Sequence, residues 1–251
     1  MSEIRTERIA SFDGTELAIH RTGTGRPVVL LHGLFSSAEM NWIRFGHAEK
    51  LVAAGMEAVM PDLRAHGASA KPQEPSAHPS DVLVRDVRAV VDALSLDDFD
   101  LVGFSLGART AARAVVSGLA PRRLVLAGMG LEGLAGWDRR AAFFIDAIDR
   151  YDEVRQGDPA YMAVQFMKTM KIDRVAARLL LGSVDDTTTE DLAAVTMPTL
   201  IVSGDRDRDN GSPQALVETL PDARFEEVPG THMSSVTEAA LGEAIAAFLA
   251  G

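Results

Sequence analysis

The sequence predicts an α/β fold in which a mostly parallel, doubly wound sheet is covered by helices on both faces. Short runs that are apolar throughout, such as residues 27–31, are typical of strands buried on both sides. Amphipathic segments such as residues 81–94 separate these runs, and strands that alternate with helices indicate a parallel sheet. A Gly-x-Ser-x-Gly turn at residues 103–107 joins one apolar strand to a helix of small residues.

The first third of the chain is predicted to hold four strands and one long helix. The strands lie at residues 4–10, 16–21, 27–31 and 57–60. Asp13-Gly14 between the first two strands favours a tight hairpin, so this pair should form an antiparallel edge. Helical periodicity covers residues 38–54, and a turn-rich loop at residues 61–69 follows the fourth strand.

The Gly-x-Ser-x-Gly turn is predicted to present Ser105 as a nucleophile. A sharp turn from strand to helix strains the serine backbone, and Gly103 and Gly107 stand where a side chain would collide with a neighbouring strand or helix. The hydroxyl then lies at a helix N-terminus, where the N–H of Leu106 can be aimed at an oxyanion on a substrate carbonyl. The same five residues also fit a turn that only joins a strand to a helix. Candidate catalytic partners elsewhere in the chain are therefore needed to support a role for Ser105 as nucleophile.

The alternation of strand and helix stops after a strand at residues 123–128 and resumes near residue 191. We therefore expect residues 130–190 to form a helical cap insertion over the sheet, and residues 1–129 and 191–251 to form the core. Aromatic and Met side chains in the insertion predict an apolar roof; they are Phe143, Phe144, Ile148, Tyr151, Tyr161, Met162, Phe166, Met167 and Met170. The alternative is that these side chains pack the underside of the insertion itself.

The end of the chain returns to the alternating pattern. Thr187 and Glu190 have the spacing of a capping box for a short helix before Met197. Further strands are predicted at residues 198–204 and 224–228, and further helices at residues 213–220 and 238–249. The loop after the first of these strands carries three carboxylates, and the loop after the second carries His232.

A serine, an acid and a histidine are thus predicted to share one edge of the sheet. Each follows a strand, and open parallel sheets bind ligands at the carboxyl ends of their strands. The histidine would act as the base, and the carboxylate would hold its tautomer. Position along the chain alone does not identify the acid or the base. Asp205, Asp207 and Asp209 are all candidates for the acid. His32 and His66 are alternatives to His232 as the base.

The sequence resembles the α/β-hydrolase superfamily over nearly its whole length, in its serine esterase- and lipase-like branch. The segments that carry the resemblance are residues 30–33, 61–69, 103–107, 204–207 and 230–232. The resemblance implies an eight-stranded sheet with a small helical cap. The Gly-x-x-Asp spacing of the family selects Asp207 as the acid, while His32 and His66 match positions that usually have structural roles. Ala65 stands where the family usually has Gly.

The resemblance also implies hydrolysis of a small to medium, largely apolar carboxylic ester, thioester or lactone, without metal or organic cofactor. The amides of Leu34 and Leu106 would hold the oxyanion, with the amide of Phe35 as the alternative to Leu34. The residues expected to contact the substrate are Phe35, Phe143, Phe144, Phe166 and Met167. In this apolar site we expect activity to rise with acyl length toward about six carbons and charged acyl groups to be poor substrates.

The same three residues would also serve other functions that the fold supports. A C–C bond hydrolase, a cofactor-free perhydrolase and an acyltransferase use the same serine chemistry, so they remain alternatives. A non-catalytic ligand receptor of the same fold is a further alternative, although the intact serine, acid and histidine argue against it.

Composition excludes several other classes of protein. The formal net charge of −11 argues against nucleic acid or an anionic membrane as partner. The absence of cysteine excludes disulfides, thiolate nucleophiles and thiolate metal sites. Residues 1–5 carry charges without an apolar core, and no apolar run approaches the length of a membrane span. We expect a soluble, cytoplasmic protein that acts on a small molecule, and its oligomeric state stays open.

Overall fold

A computed structural model of the chain describes residues 3–251. Within these residues the sheet has eight strands in the order β1-β2-β4-β3-β5-β6-β7-β8. The strands are β1 Arg5–Ala10, β2 Glu16–Gly23, β3 Arg26–Leu31, β4 Met56–Pro61, β5 Asp100–Phe104, β6 Leu124–Ala127, β7 Thr199–Gly204 and β8 Ala223–Val228. The β1–β2 and β2–β4 pairs are antiparallel, and the pairs from β4–β3 to β7–β8 are parallel. The predicted fold class is confirmed.

Helices cover both faces of the sheet, because each central strand is apolar on both sides. The helices are α1 His47–Ala53, α2 Val82–Ala93, α3 Leu106–Val116, α4 Leu131–Leu134, α5 Trp137–Asp149, α6 Tyr161–Thr169, α7 Arg174–Leu181, α8 Pro213–Thr219 and α9 Ala239–Ala250. Val29 and Leu31 of β3 belong to the core beneath α2 and α3. Val28 and Leu30, which alternate with them, belong to the core beneath α1 and α9.

Residues 131–181 contain α4 to α7, and this part of the described chain has no strand. Helix α5 packs against α6 and α7, while α4 contacts α3 and α8. The helical character expected of residues 130–190 is therefore present, and their separation from the core as a cap stays a prediction. No helix within residues 3–251 has the length and hydrophobicity needed to cross a bilayer.

Two local predictions are wrong. The long helix expected over residues 38–54 is a π-helical turn, Glu39–Ile43, followed by α1, and the two are separated at Gly46, whose φ of 76° is left-handed. The capping box lies one residue later than expected: Thr188 Oγ1 accepts from Asp191 N, and Asp191 Oδ2 accepts from Thr188 N. The Thr187 hydroxyl is buried and makes no hydrogen bond within the described residues.

Candidate active site

The turn between β5 and α3 holds Ser105 in a strained conformation. Ser105 has φ 54° and ψ −114°, a region that L-residues with a side chain rarely adopt. A Cβ on Gly103 would lie 2.2 Å from the carbonyl oxygen of Gly107, and a Cβ on Gly107 would lie 2.1 Å from that of Leu31 in β3. The two glycines therefore allow the helix start to approach two strands, as a sharp turn that exposes the serine requires.

The loops after β5, β7 and β8 bring Ser105, Asp207 and His232 together. Ser105 Oγ lies 3.0 Å from His232 Nε2, and His232 Nδ1 lies 2.9 Å from Asp207 Oδ2. Because an ionised carboxylate only accepts, Nδ1 carries the proton and donates to Asp207. In the neutral ring Nε2 is then free to accept the hydroxyl proton of Ser105. The arrangement can deprotonate a serine hydroxyl at the sheet edge.

Asp207 is kept ionised by its partners although it is 7% exposed. Burial by itself would raise the pKa of this carboxyl, but the hydrogen bond from His232, and the charge of that ring when it is protonated, hold the pKa below its usual range. The N–H of Asp209 also donates to Asp207 Oδ1, at 3.0 Å. Both carboxylate oxygens are therefore engaged, which fixes the orientation of the His232 ring.

The two neighbouring acids make different contacts. Asp205 Oδ1 accepts from the N–H of Gly230 at 2.8 Å, which ties the loop after β7 to the loop that carries His232. The side chain of Asp209 is exposed, and its backbone N–H bonds to Asp207. Of the three acids, the structure places Asp207 against the imidazole.

His32 and His66, the alternative bases, hold loops together. Leu63 N donates to His32 Nε2 and Phe35 N donates to His66 Nε2, each at 2.9 Å. Burial lowers the pKa of both rings, to about 3 for His66. Both rings are thus neutral acceptors with no free nitrogen facing Ser105. The contact also commits the N–H of Phe35 to His66.

The N–H groups of Leu34 and Leu106 are free to bind an oxyanion. Within the described residues neither group donates to a protein acceptor, and both residues line the cavity that contains Ser105. The N–H of Gly33 bonds to Asn41 Oδ1 at 3.1 Å, and Phe35 has a left-handed φ of 58°. The N–H groups on both sides of Leu34 therefore have acceptors, and the Leu34 N–H is the one left in this part of the loop for a substrate oxygen.

A cavity of about 830 Å³ opens above Ser105. Four of the five residues expected to contact the substrate line it, namely Phe35, Phe143, Phe144 and Phe166. The Phe144 ring packs edge-to-face against Phe35 and Phe143, with ring centres 5.6 and 5.2 Å apart. These rings join α5 to the loop after β3 and give the cavity an aromatic wall.

The structure does not place the fifth expected residue, Met167, at the cavity. Met167 is 1% exposed and packs in the core, together with Val164 three residues earlier on α6. Met162 and Phe166, four residues apart, lie on the face of α6 that lines the cavity. Helix phase therefore separates these side chains, and composition alone does not show which of them face the cavity.

Sequence reasoning also missed residues that line the cavity. They are Met40, Asn41, Arg109, Met129, Arg139, Arg140 and Met233, among others. The guanidinium of Arg109 is 1% exposed and donates to the carbonyls of Gly133 and Leu134 and to Asp186. The one signal in the sequence was Arg139-Arg140 at the start of a helix whose next turn is aromatic. The wall of the cavity is thus less uniformly apolar than the predicted roof.

Among the described residues, one group has the composition of a metal site. Ligand atoms of Asp207, Asp209 and His232 lie within 4.8 Å of one another. The facing atoms of Asp207 and His232 already bond to each other, and the second oxygen of Asp207 accepts a backbone N–H. The donor set is therefore engaged in its own hydrogen bonds and does not fit a metal ion as placed.

Known proteins resemble this chain over most of its length. A model of the Alpha/beta hydrolase family matches residues 28–247. A non-heme haloperoxidase from Rhodococcus erythropolis is 29% identical over 253 residues, which covers 88% of this chain and 90% of the relative. An esterase from Exiguobacterium antarcticum superposes with a TM-score of 0.77 at 20% identity, covering 98% of this chain and 100% of that one. A bromoperoxidase from Bacillus anthracis does so with a TM-score of 0.74 at 23% identity and the same coverage.

Proposed function

Since the chain belongs to the alpha/beta hydrolase family, we propose that it is a serine hydrolase that cleaves a small to medium, largely apolar carboxylic ester or lactone. The observation that carries the proposal is the hydrogen-bonded chain from Ser105 through His232 to Asp207, with distances of 3.0 and 2.9 Å. These distances match the reach required of a nucleophile, its base and the group that orients the base. A thioester would be cleaved by the same steps.

In the first step Ser105 is acylated. His232 Nε2 takes the hydroxyl proton while Oγ attacks the substrate carbonyl, and the N–H groups of Leu34 and Leu106 hold the oxygen that becomes negative. His232 then returns the proton to the departing alcohol as the C–O bond breaks. Asp207 stabilises the imidazolium between these two transfers and stays ionised throughout.

In the second step water cleaves the acyl-enzyme. His232 takes a proton from the water while the water oxygen attacks the ester carbon. The two backbone N–H groups again donate to the negative oxygen of the tetrahedral intermediate. The proton passes to Ser105 Oγ, and the carboxylic acid leaves. The residues named supply every proton transfer, so the proposed reaction uses no metal or organic cofactor.

The substrate class follows from the size and lining of the cavity. A volume of about 830 Å³ admits a small molecule of the size that enzyme pockets usually bind. Phe35, Phe143, Phe144 and Phe166 offer aromatic surface, and burial of hydrocarbon against it contributes roughly 25 cal/mol per Å². This lining supports a substrate whose body is mainly apolar.

The test is replacement of the nucleophile. Ser105→Ala should leave the fold intact and reduce hydrolysis of a panel of esters and lactones at least about a thousandfold in kcat/KM. Ser117→Ala, at the other end of α3, is the matched control and should retain full turnover. Turnover that survives in Ser105→Ala would remove Ser105 from the mechanism. A wild-type protein that cleaves nothing in the panel would favour the ligand-receptor alternative.

A second candidate is a perhydrolase on the same residues. The similarity to a haloperoxidase and a bromoperoxidase supports it, because hydrogen peroxide could attack the acyl-enzyme in place of water and release a peracid. The two candidates separate when one ester is supplied together with peroxide and the acid and peracid products are measured. We expect the carboxylic acid to be the main product. A peracid as the main product would favour the perhydrolase over the hydrolase.

A further inference from the structure

Two arginines stand side by side where α5 borders the cavity. Arg139 and Arg140 lie in the first turn of α5, and both line the cavity that contains Ser105. The first turn of a helix carries a partial positive charge, so cations there are unfavourable and anions favourable. Burial lowers the pKa of Arg140, the charges of Asp209 and Asp207 partly oppose this shift, and the charge of Arg139 adds to it. Local electrostatics therefore oppose this placement unless an anion compensates for it.

The acid nearest to these arginines in the sequence is Asp138, in the same turn of α5. Within residues 3–251 neither arginine forms an ion pair, and Arg140 donates through Nη1 to the backbone carbonyl of Asp209. The charges of Asp209 and Asp207 act on Arg140 without forming an ion pair with it. Three other arginines of this segment form ion pairs: Arg150 bonds to Asp146 and Asp158, Arg174 to Asp152 and Arg178 to Asp149. Arg155 bonds only to backbone carbonyls within the described residues. What sets Arg139 and Arg140 apart is the combination of two features: they line the cavity, as Arg155 does not, and they lack the ion pair that the cavity residue Arg109 makes with Asp186.

The contacts of Arg140 place its guanidinium on the acid-loop side of the cavity. It bonds to Asp209 O, while Asp209 N bonds to the same Asp207 that orients His232. Its Cζ lies 5.7 Å from the centre of the Phe144 ring, which packs against Phe35. The cation is therefore set in an aromatic wall close to the reacting groups. Arg140 is half-buried there, so its charge is screened less than that of Arg139, which is exposed.

We propose that Arg139 and Arg140 form a carboxylate-binding subsite, so that the substrate is an ester or lactone that also carries a separate carboxylate group. The subsite rests on the proposed function of the same cavity. A guanidinium presents a planar fork of donors that matches a carboxylate, and Nη2 and Nε of Arg140 make no hydrogen bond within the described residues. The aromatic wall would bind the hydrocarbon between the carboxylate and the ester.

The subsite changes one expectation drawn from the sequence. An entirely apolar roof predicts that charged acyl groups are poor substrates, because they lose water and gain nothing. With two unpaired arginines in the wall, a single carboxylate at the right distance from the ester recovers that loss through charge-assisted hydrogen bonds. Cationic substrates remain excluded.

The test compares matched esters that differ only in one charge. The first pair is p-nitrophenyl hydrogen adipate and its methyl ester, with the carboxylate on the acyl part. The second is the hexanoyl ester of p-hydroxybenzoate and that of methyl p-hydroxybenzoate, with the carboxylate on the alcohol part. In at least one pair the wild type should prefer the anion by roughly tenfold or more in kcat/KM. Preference for the neutral ester in both pairs would overturn the subsite.

Variants then assign the preference to the arginines. Arg140→Gln should lower the ratio of anionic to neutral kcat/KM by about tenfold, mainly through KM, and Arg139→Gln should lower it by less. The matched control is Arg155→Gln, because Arg155 also lies in the insertion, donates to backbone carbonyls and forms no ion pair within the described chain. The control should keep the wild-type ratio. A ratio that Arg140→Gln leaves unchanged would contradict the proposal.

A binding measurement separates failure of the subsite from failure of the proposed function. Monomethyl adipate should slow the labelling of Ser105 by a fluorophosphonate more than dimethyl adipate does, and Arg140→Gln should abolish the difference.

If no residue is labelled and no ester is cleaved, the proposed function is wrong. In that case the rise in Tm on addition of monomethyl adipate tests the subsite. A larger rise in the wild type than in Arg140→Gln would support the subsite, and equal rises in the two proteins would contradict it.

Discussion

At the scale of single residues, each polar group at the sheet edge has a role that its hydrogen bonds define. Asp207 bonds to His232, and Asp205 accepts from the N–H of Gly230 in the loop that carries His232. The Asp209 side chain is exposed. Only the first of these contacts reaches the imidazole. Removing one negative charge should therefore have very different consequences at three positions that lie two residues apart.

Asp207→Asn should reduce kcat at least about a hundredfold, because an amide no longer fixes the protonated nitrogen of His232. Asp205→Asn keeps an acceptor for the N–H of Gly230 and should cost far less, as should Asp209→Asn. Steady-state kinetics on one ester, with Tm as the check on folding, make the comparison. If Asp205→Asn is the most damaging variant, the acid is misassigned.

Several of these residues could be predicted from the sequence. Ser105 and His232 follow strands whose apolar runs are visible, and family spacing selects Asp207 from three candidates. The preference for Leu34 over Phe35 as oxyanion donor now has a physical reason, the bond from Phe35 N to His66. Arg140 was not found, because a charged residue at the start of a helix looks the same in sequence whether it faces solvent or a cavity.

At the scale of elements, helix phase decides what the insertion contributes to the cavity. Helix α6 turns Met162 and Phe166 toward the cavity and Val164 and Met167 into the core. The Gly46 break and the π-helical turn Glu39–Ile43 likewise place Asn41, which bonds to the N–H of Gly33 beside the oxyanion loop. The sequence periodicity showed these helical segments but not their phase or their breaks, because packing partners distant in sequence set both.

The aromatic wall should set acyl-chain specificity. Alanine at Phe143, Phe144 or Phe166 should shift the preferred acyl length more than it changes the labelling of Ser105, since each ring borders the cavity. Met167→Ala is the matched control: it should lower the free energy of unfolding by about 2–5 kcal/mol and leave the acyl profile unchanged. Kinetics on esters of increasing acyl length make the measurement. An identical profile in all the phenylalanine variants would mean that the wall does not select substrates.

At the scale of the whole molecule, one sheet with a core on each face holds the three loops in register. The parallel strands β5, β6, β7 and β8 are neighbours, so the loops that follow β5, β7 and β8 meet at the same edge. The sequence predicted this arrangement because buried strands, turn residues and amphipathic helices alternate without ambiguity there. It could not predict the contents of the cavity, which combine loops after β3, β5, β7 and β8 with helices of the insertion.

The central claim is that Ser105, activated by His232, forms a covalent intermediate. The most direct measurement is to treat the protein with a fluorophosphonate, digest it with trypsin and locate the adduct by mass spectrometry. The tryptic peptide of residues 89–109 contains both Ser95 and Ser105, so fragment ions must distinguish the two serines. The account predicts one adduct, on Ser105, and slower labelling in Asp207→Asn. An adduct on any other residue, or none, would contradict it.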